Sequence, residues 1–235
     1  MKGTVLVQLR DQGSFLRRLV INVCLISSFA YFLPACQQSA QRSTKAAAEH
    51  IDFLADLASQ QQGLVQQGLP QGASLLQELF REAGAEEPDY QSAQRELRRA
   101  RWSTPALQQA KTDFYVLTDA TGKILRNNLE QDTMAGQALF QFYPALKGAS
   151  KSPFAFGVGS MKDARGVKGR DDAQWMAASP IYLDKKLVGL VATGWSWSTF
   201  AERLESKLRA EVLEHLERGE NLPLLYVYIV DHGQV

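Results

Sequence analysis

Side chains able to do chemistry are few in this 235-residue chain, and their spacing suits none of the common chemistries. The three histidines, His50, His215 and His232, fall on one helical stretch, another helical stretch and a turn. No ligand spacing links them, so each is read as a surface histidine rather than a metal ligand. Asp163, Asp171 and Asp172 would attract a cation, but their spacing departs from a calcium loop and a solvated loop is expected. Gly157-Val158-Gly159-Ser160 lacks the order of a nucleophile elbow and does not continue as a dinucleotide fingerprint. The only two cysteines, Cys24 and Cys36, lie close to the amino terminus. The remainder therefore offers no cysteine nucleophile, thiolate zinc site or iron–sulfur cluster. A protein that is not an enzyme, with no metal and no cofactor, is expected.

Charge narrows the partners. Lysine plus arginine number 26 against 25 acidic residues, without the basic excess that phosphate-backbone binding needs, so nucleic acid is excluded as an expected partner. One local cluster is basic: Arg95, Arg98, Arg99 and Arg101 within a single helical stretch. Two readings stand for it, a grip on an anionic ligand or lipid headgroup, or a solvated face paired to nearby glutamates.

The amino terminus carries a targeting signal. Arg10, Arg17 and Arg18 precede the uncharged, mostly apolar run 19–35 (LVINVCLISSFAYFLPA), the order an export segment requires. It ends in Leu33-Pro34-Ala35-Cys36, which resembles a bacterial lipobox with Cys36 as the residue to be lipidated, although Pro34 stands where a small residue is usual. Three outcomes remain open: a lipoprotein, an uncleaved signal anchor, and a conventionally cleaved secreted protein. All three place the chain beyond residue 40 outside the cytoplasm.

The elements beyond the membrane segment are set by periodicity. Ile51, Leu54, Ala58 and Val65 predict a long amphipathic helix over about 39–67, which Gly68-Leu69-Pro70-Gln71-Gly72 should break. A second helix is expected over 73–83 on the stripe Leu75, Leu76, Leu79 and Phe80, with Ser74 as cap or first-turn residue. A third is expected over 90–102, and a short one restarts at Thr104-Pro105. FYVLTD (114–119), a turn, and ILRNN (124–128) read as a hairpin. The segment 129–149, interrupted by Gly136, Pro144 and Gly148, reads as a helix-and-loop excursion. FAFGV (154–158) is a short strand, and 161–173 an exposed loop. QWMAASPIYL (174–183), a turn at Asp184-Lys185-Lys186, and LVGLVATGWSW (187–197) form a longer hairpin. A helix over 199–218 comes next, capped by Gly219. The terminal run 224–235 repeats the strand pattern; it either begins a second sheet domain or returns to the existing sheet.

This order of elements resembles the extracytoplasmic Cache sensor family, PAS-like domains of bacterial chemoreceptors, sensor kinases and some lipoproteins. The residues that carry the likeness are YVLTDATGKILRNN (115–128) and ASPIYLDKKLVGLVATG (178–194), and it extends over about 40–218. The resemblance implies an α+β fold: a five-stranded antiparallel sheet with a long N-terminal helix and flanking helices, and a small-molecule pocket between the sheet and the excursion. Alternation puts Trp175, Ala177 and Ser179 on one face, Val191, Thr193 and Trp195 on one face, and Tyr115 with Leu117. Tyr115, Arg126, Trp175, Ser179 and Thr193 are the ligand-binding candidates, with Arg126 suited to a carboxylate. The family's amino-acid-binding pattern of spaced tyrosine, arginine, tryptophan and aspartate is not found.

The chain thus divides into an export or anchor segment (1–36), a helical leading region (37–112), the sheet domain (113–198), an outgoing helix (199–219) and a last strand or incomplete second domain (220–235). The function expected is a membrane-tethered, extracytoplasmic, non-catalytic sensor or small-molecule-binding module that signals through a partner, with homodimerisation through the leading helix compatible with it. The rival is a structural or protein-interaction lipoprotein whose Trp195 and Trp197 offer a docking surface.

Overall fold

The computed structural model describes residues 20–23, 33–84, 86–161, 173–216 and 225–230. In chain order the elements are β1 (Val20–Val23), α1 (Leu33–Leu75), α2 (Gln77–Ala83), α3 (Tyr90–Ser103), α4 (Pro105–Ala110), β2 (Phe114–Asp119), β3 (Ile124–Asn127), α5 (Leu139–Phe142), a 3-10 segment (Pro144–Ser150), β4 (Ala155–Ser160), β5 (Ala173–Leu183), β6 (Lys186–Ser196), α6 (Trp197–His215) and β7 (Val227–Val230). They fall into two compact units, Gln60–Trp197, and Met1–Ser59 together with Ser198–Val235. The Asp163, Asp171 and Asp172 loop, Gly219 and His232 lie outside the described residues.

In the unit Gln60–Trp197, five antiparallel strands pair in the order β3-β2-β6-β5-β4. This is the five-stranded antiparallel sheet with a long leading helix and flanking helices that the resemblance implies. Both hairpin turns obey local chemistry. The Asp119 carboxylate accepts from the backbone N–H groups of Thr121 and Lys123 at 2.8 and 2.9 Å, and Gly122 takes φ +87°. Asp184 and Lys185 both have positive φ, the pair of conformations that a two-residue hairpin loop needs.

Alternation gives the sheet two faces. One carries Phe114, Val116, Met176, Ala178, Leu190 and Ala192 and is covered by Leu139, Tyr143, Leu146 and Ala149 of the excursion. Glycine lets the excursion lie close: a Cβ on Gly157 would stand 2.9 Å from that of Ala145, and one on Gly159 2.6 Å from the Tyr143 ring. Gly157 and Gly159, which lack the order of a nucleophile elbow, are therefore points of close approach between β4 and the excursion. The other face meets helices. Phe80 of α2 fits against Gly189, and Trp195 donates its indole N–H to the Ala110 carbonyl at the end of α4.

Two expectations about the helices are corrected. Gly68 to Gly72 does not break α1, which runs on to Leu75 with Pro70 inside it. The apolar stripe continues through Val65, Leu69, Ala73 and Leu76, all buried, and side chains at Gly68 and Gly72 would press on Leu107 at 2.8 and 3.0 Å. The glycines serve helix packing, and the carbonyl that Pro70 leaves without a donor belongs to exposed Gln66. Ser74 is not a cap; its hydroxyl donates back to the Pro70 carbonyl at 3.1 Å. The break comes at Leu76, and Gly84, at φ +65°, ends α2. Asp89 caps α3 by accepting from the Ser92 N–H, and this bond, together with the Ser92 side chain, holds its carboxyl below the usual range.

In the other unit, Ile51, Leu54, Ala58, Phe200, Leu204 and Leu208 are buried at helical spacing. The last strand does not join the five-stranded sheet. β7 pairs antiparallel with β1, inside the run expected to serve export, in a two-stranded sheet. Alternation buries Val227 and Ile229 and leaves Tyr226 and Tyr228 exposed, their rings stacked at 6.5 Å. Cys36 falls within α1. No helix among the described residues is long and apolar enough to cross a membrane.

Candidate functional site

Register brings the five sequence candidates to one face. Arg126 lies opposite Leu117, Leu117 opposite Val191, and Val191 opposite Ser179. In the next row Tyr115 faces Thr193 and Thr193 faces Ala177, and beyond it Trp175 faces Trp195. All five candidates are buried, under the helices rather than under the excursion. The expected pocket position and the expected pocket residues thus belong to opposite faces of the sheet. Alternation fixes which side chains travel together, but not which layer covers them.

On the helical face these side chains are engaged with the protein itself. Arg126 is held by Asp132 at 2.9 Å and by the Leu129 carbonyl at 3.1 Å, and its guanidinium lies 3.9 Å from the centre of the Tyr90 ring. A guanidinium so neutralised is not a free partner for a carboxylate ligand. Ser179 donates to the Pro153 carbonyl at 2.9 Å, and Thr193 bonds the Thr112 hydroxyl and the Phe114 carbonyl, each at 2.6 Å. Trp175 packs at 6.1 Å from Trp197. Tyr115 has Arg101 over its ring at 5.4 Å and no hydrogen bond to its hydroxyl. Burial pushes that hydroxyl up to about 12, against the opposing pull of Thr112, Arg101 and Thr193. Trp195 is 1% exposed, which removes it from any docking surface.

The arginine cluster divides by helix face. Arg98 donates to the Asn128 carbonyl at 3.0 Å and Arg101 to that of Thr112 at 2.8 Å, while Gln94 reaches Leu129 at 2.7 Å. This stripe of α3 grips the chain ends around β2 and β3. Arg95 and Arg99 are exposed beside Glu96.

Asp132 organises the start of the excursion. Its carboxylate accepts from the backbone N–H groups of Asn127, Met134 and Ala135 at 2.8 to 3.0 Å as well as from Arg126. The polar stretch Glu130 to Thr133 offered an Asx-turn signal for it, but nothing in the spacing tied it to Arg126.

The excursion face holds two buried amides. Gln174, wholly buried, is opposite Ser196 and Gly159 and accepts the Tyr143 hydroxyl proton, while its own side-chain N–H group has no acceptor. Flipping that amide would only exchange which of its ends is unmet. Asn127, also wholly buried and opposite Val116, accepts from the Leu129 N–H at 2.9 Å and leaves its side-chain N–H group unmet. Buried apolar side chains, Phe114, Val116, Met134, Leu139 and Met176 among them, pack on this face, and the Asp132 carboxylate accepts from the Asn127 backbone N–H. Sequence reasoning passed over Gln174 and Asn127 because each stands next to a more conspicuous neighbour, Trp175 or Arg126, that points the other way. Among the described residues no three histidine, cysteine or carboxylate side chains converge on a metal position.

No family model matches the chain, and no curated protein matches it in sequence. Solved structures are similar in fold. The Escherichia coli DcuS sensor domain is 15% identical over 62% of this chain and 98% of that one, with a TM-score of 0.42. The ligand-binding domain of the Pseudomonas aeruginosa amino acid chemoreceptor PctC, in complex with GABA, is 16% identical over 69% of this chain, which spans 65% of that domain, at 0.41. The ligand-binding domain of the Campylobacter jejuni chemoreceptor Tlp3, in complex with L-valine, is 15% identical over 80% of this chain and 81% of that one, at 0.47. These likenesses are of fold alone.

Proposed function

We propose that this chain is a membrane-tethered extracytoplasmic sensor module that binds a small molecule between the sheet and the excursion 129–149. It makes and breaks no covalent bond, and it signals through α1 or to a partner protein. The observation that carries this reading is the buried Gln174 amide, whose N–H group has no acceptor in the protein. Such a group costs about 1–3 kcal/mol, a penalty that an occupant supplying the missing hydrogen-bond partner removes. Asn127 repeats the feature on the same face. The tether rests on the basic flank, the apolar run 19–35 and Cys36.

In this reading Tyr115, Arg126, Trp175, Ser179 and Thr193 transmit rather than touch the ligand. Arg126 adjoins Asn127 in the chain and Trp175 adjoins Gln174, with side chains on opposite faces of one strand. A shift of either strand toward a ligand therefore moves the side chains that grip α3 and Trp197.

A thermal-shift screen of the full chain against amino acids, small carboxylates, purines, polyamines and uncharged metabolites tests this. A ligand that binds only the folded state raises the melting temperature. The expected result is a shift that is lost in Gln174→Leu and kept in Ser179→Ala. A well-folded chain that responds to nothing favours the second reading, a protein-interaction lipoprotein, which the filling of the helical face by Trp175 and Trp195 supports.

A further inference from the structure

We propose that helix α3 is a docking face for an anionic lipid surface, with Arg95, Arg98 and Arg99 meeting headgroups and the Trp102 ring seated at their level. This contact is separate from the proposed ligand site. Packing fixes which way the helix points. Ala93, Leu97 and Ala100 are its buried residues, so the outward face is set by Gln91, Arg95, Arg98 and Trp102 at i, i+4, i+7 and i+11, with Arg99 beside them. All of these are exposed, and Trp102, at 70%, is the most exposed of the large hydrophobic side chains described.

Charge on this face is largely uncompensated. Residues 90–112 hold Arg95, Arg98, Arg99, Arg101 and Lys111 against one acid, Glu96. Glu96 stands to the side of the outward face, and its single carboxylate serves both Arg95 at 3.2 Å and Arg99 at 3.4 Å. Arg98 and Arg101 donate to the Asn128 and Thr112 carbonyls, neutral acceptors that leave both positive charges whole. Pairing to glutamate thus accounts for one charge of the arginine cluster and leaves the rest for an anion.

Shape selects the class of anion. From Arg95 to Trp102 the face runs about 10 Å along a convex helix surface, where exposed guanidiniums diverge instead of converging on one small anion. An extended array of headgroups meets all of them, and each arginine near such a surface strengthens attachment about fivefold. Trp102 decides between lipid and an acidic polypeptide, because an amphipathic indole among arginines suits the boundary between headgroups and acyl chains. The proposed tether keeps the chain close to that boundary.

For the test, the full chain is reconstituted in vesicles of acyl-brominated phosphatidylcholine, with or without phosphatidylglycerol. Emission from Trp102 is taken as the difference between wild type and Trp102→Phe. The run 19–35 contains no tryptophan, so its own insertion does not enter that difference. Bromine is expected to quench Trp102 in the anionic vesicles, but not in the zwitterionic ones or at high salt. Arg95→Gln with Arg99→Gln, both at exposed positions, is expected to lower the ratio of docked to undocked chain by about twenty-fivefold. Trp102 emission untouched by bromine in anionic vesicles overturns the proposal, as does quenching indifferent to headgroup charge. So does Trp102 emission that responds only to soluble polyglutamate, which would make α3 a face for an acidic polypeptide. The thermal-shift screen reads none of these outcomes, so the ligand site and the lipid face fail separately.

Discussion

Asp132 and Arg126 meet at 2.9 Å with both side chains out of solvent, and this one contact joins the end of β3, the start of the excursion and, through Tyr90, helix α3. A buried pair of this kind is poor evidence of net stability, but breaking it is costly because one charge is left alone. Asp132→Asn keeps the acceptor for the Met134 and Ala135 N–H groups while removing the charge. It is expected to lower unfolding free energy by about 3–5 kcal/mol, and Asp132→Asn with Arg126→Met to recover most of that loss. Urea denaturation of the two variants checks it; equal losses in both would contradict the charge argument.

Gly159 and Gly63 should respond to alanine with opposite signs. At Gly159 a Cβ would strike the Tyr143 ring and the Phe142 carbonyl, forcing the excursion off β4. The expected cost is about 1–3 kcal/mol. At Gly63, exposed within α1, a Cβ meets nothing within 4 Å, and the gain in helix propensity should stabilise by about 0.5–1 kcal/mol. Thermal melts of the two variants decide.

Tyr115 gives the protein an alkaline limit. A tyrosine is neutral when protonated, and burial raises its hydroxyl from 10.0 to about 12. The folded protein keeps a proton that the unfolded chain releases first. Its contribution is therefore complete below pH 10 and is lost as pH rises from 10 to about 12. A displacement of that size corresponds to roughly 2–3 kcal/mol across the window. Tyr115→Phe should flatten the fall in denaturation midpoint between those two pH values relative to wild type. Identical pH profiles would show that Tyr115 does not set the limit.

Lipidation at Cys36 has a direct readout. In a bacterial host fed labelled palmitate, the wild-type chain should take up label and Cys36→Ala should not. Intact mass of the same samples reports whether residues 1–35, β1 included, remain attached. Label-free wild-type protein of full mass would instead assign the run 19–35 to an uncleaved anchor.

Local signals were enough for the elements themselves. Apolar and aromatic alternation at 114–119, 174–183 and 187–197 marks β2, β5 and β6, and Asp119 with Gly122 marks the first turn, because strand pleat and turn conformation depend on adjacent residues. Pro70 shows where local signals mislead. A proline flanked by glycines reads as a break, yet the stripe from Val65 to Leu76 buries enough apolar surface to carry the helix past it, and the glycines fit Leu107 from another helix.

Within the sheet domain, residue order alone was enough to set the five strands, the excursion and the grouping within single strands of Trp175 with Ser179, Thr193 with Trp195 and Tyr115 with Leu117, since a period of two is written residue by residue; strand register brings these groups and Arg126 to one face. It took the folded packing to put helices over that face and the excursion over the other. The same holds for the pairing of Arg126 with Asp132 and for the burial of Gln174 and Asn127 on the excursion face with side-chain N–H groups unmet. Layer order and hydrogen-bond satisfaction depend on which distant segments meet, and a linear pattern does not encode those meetings.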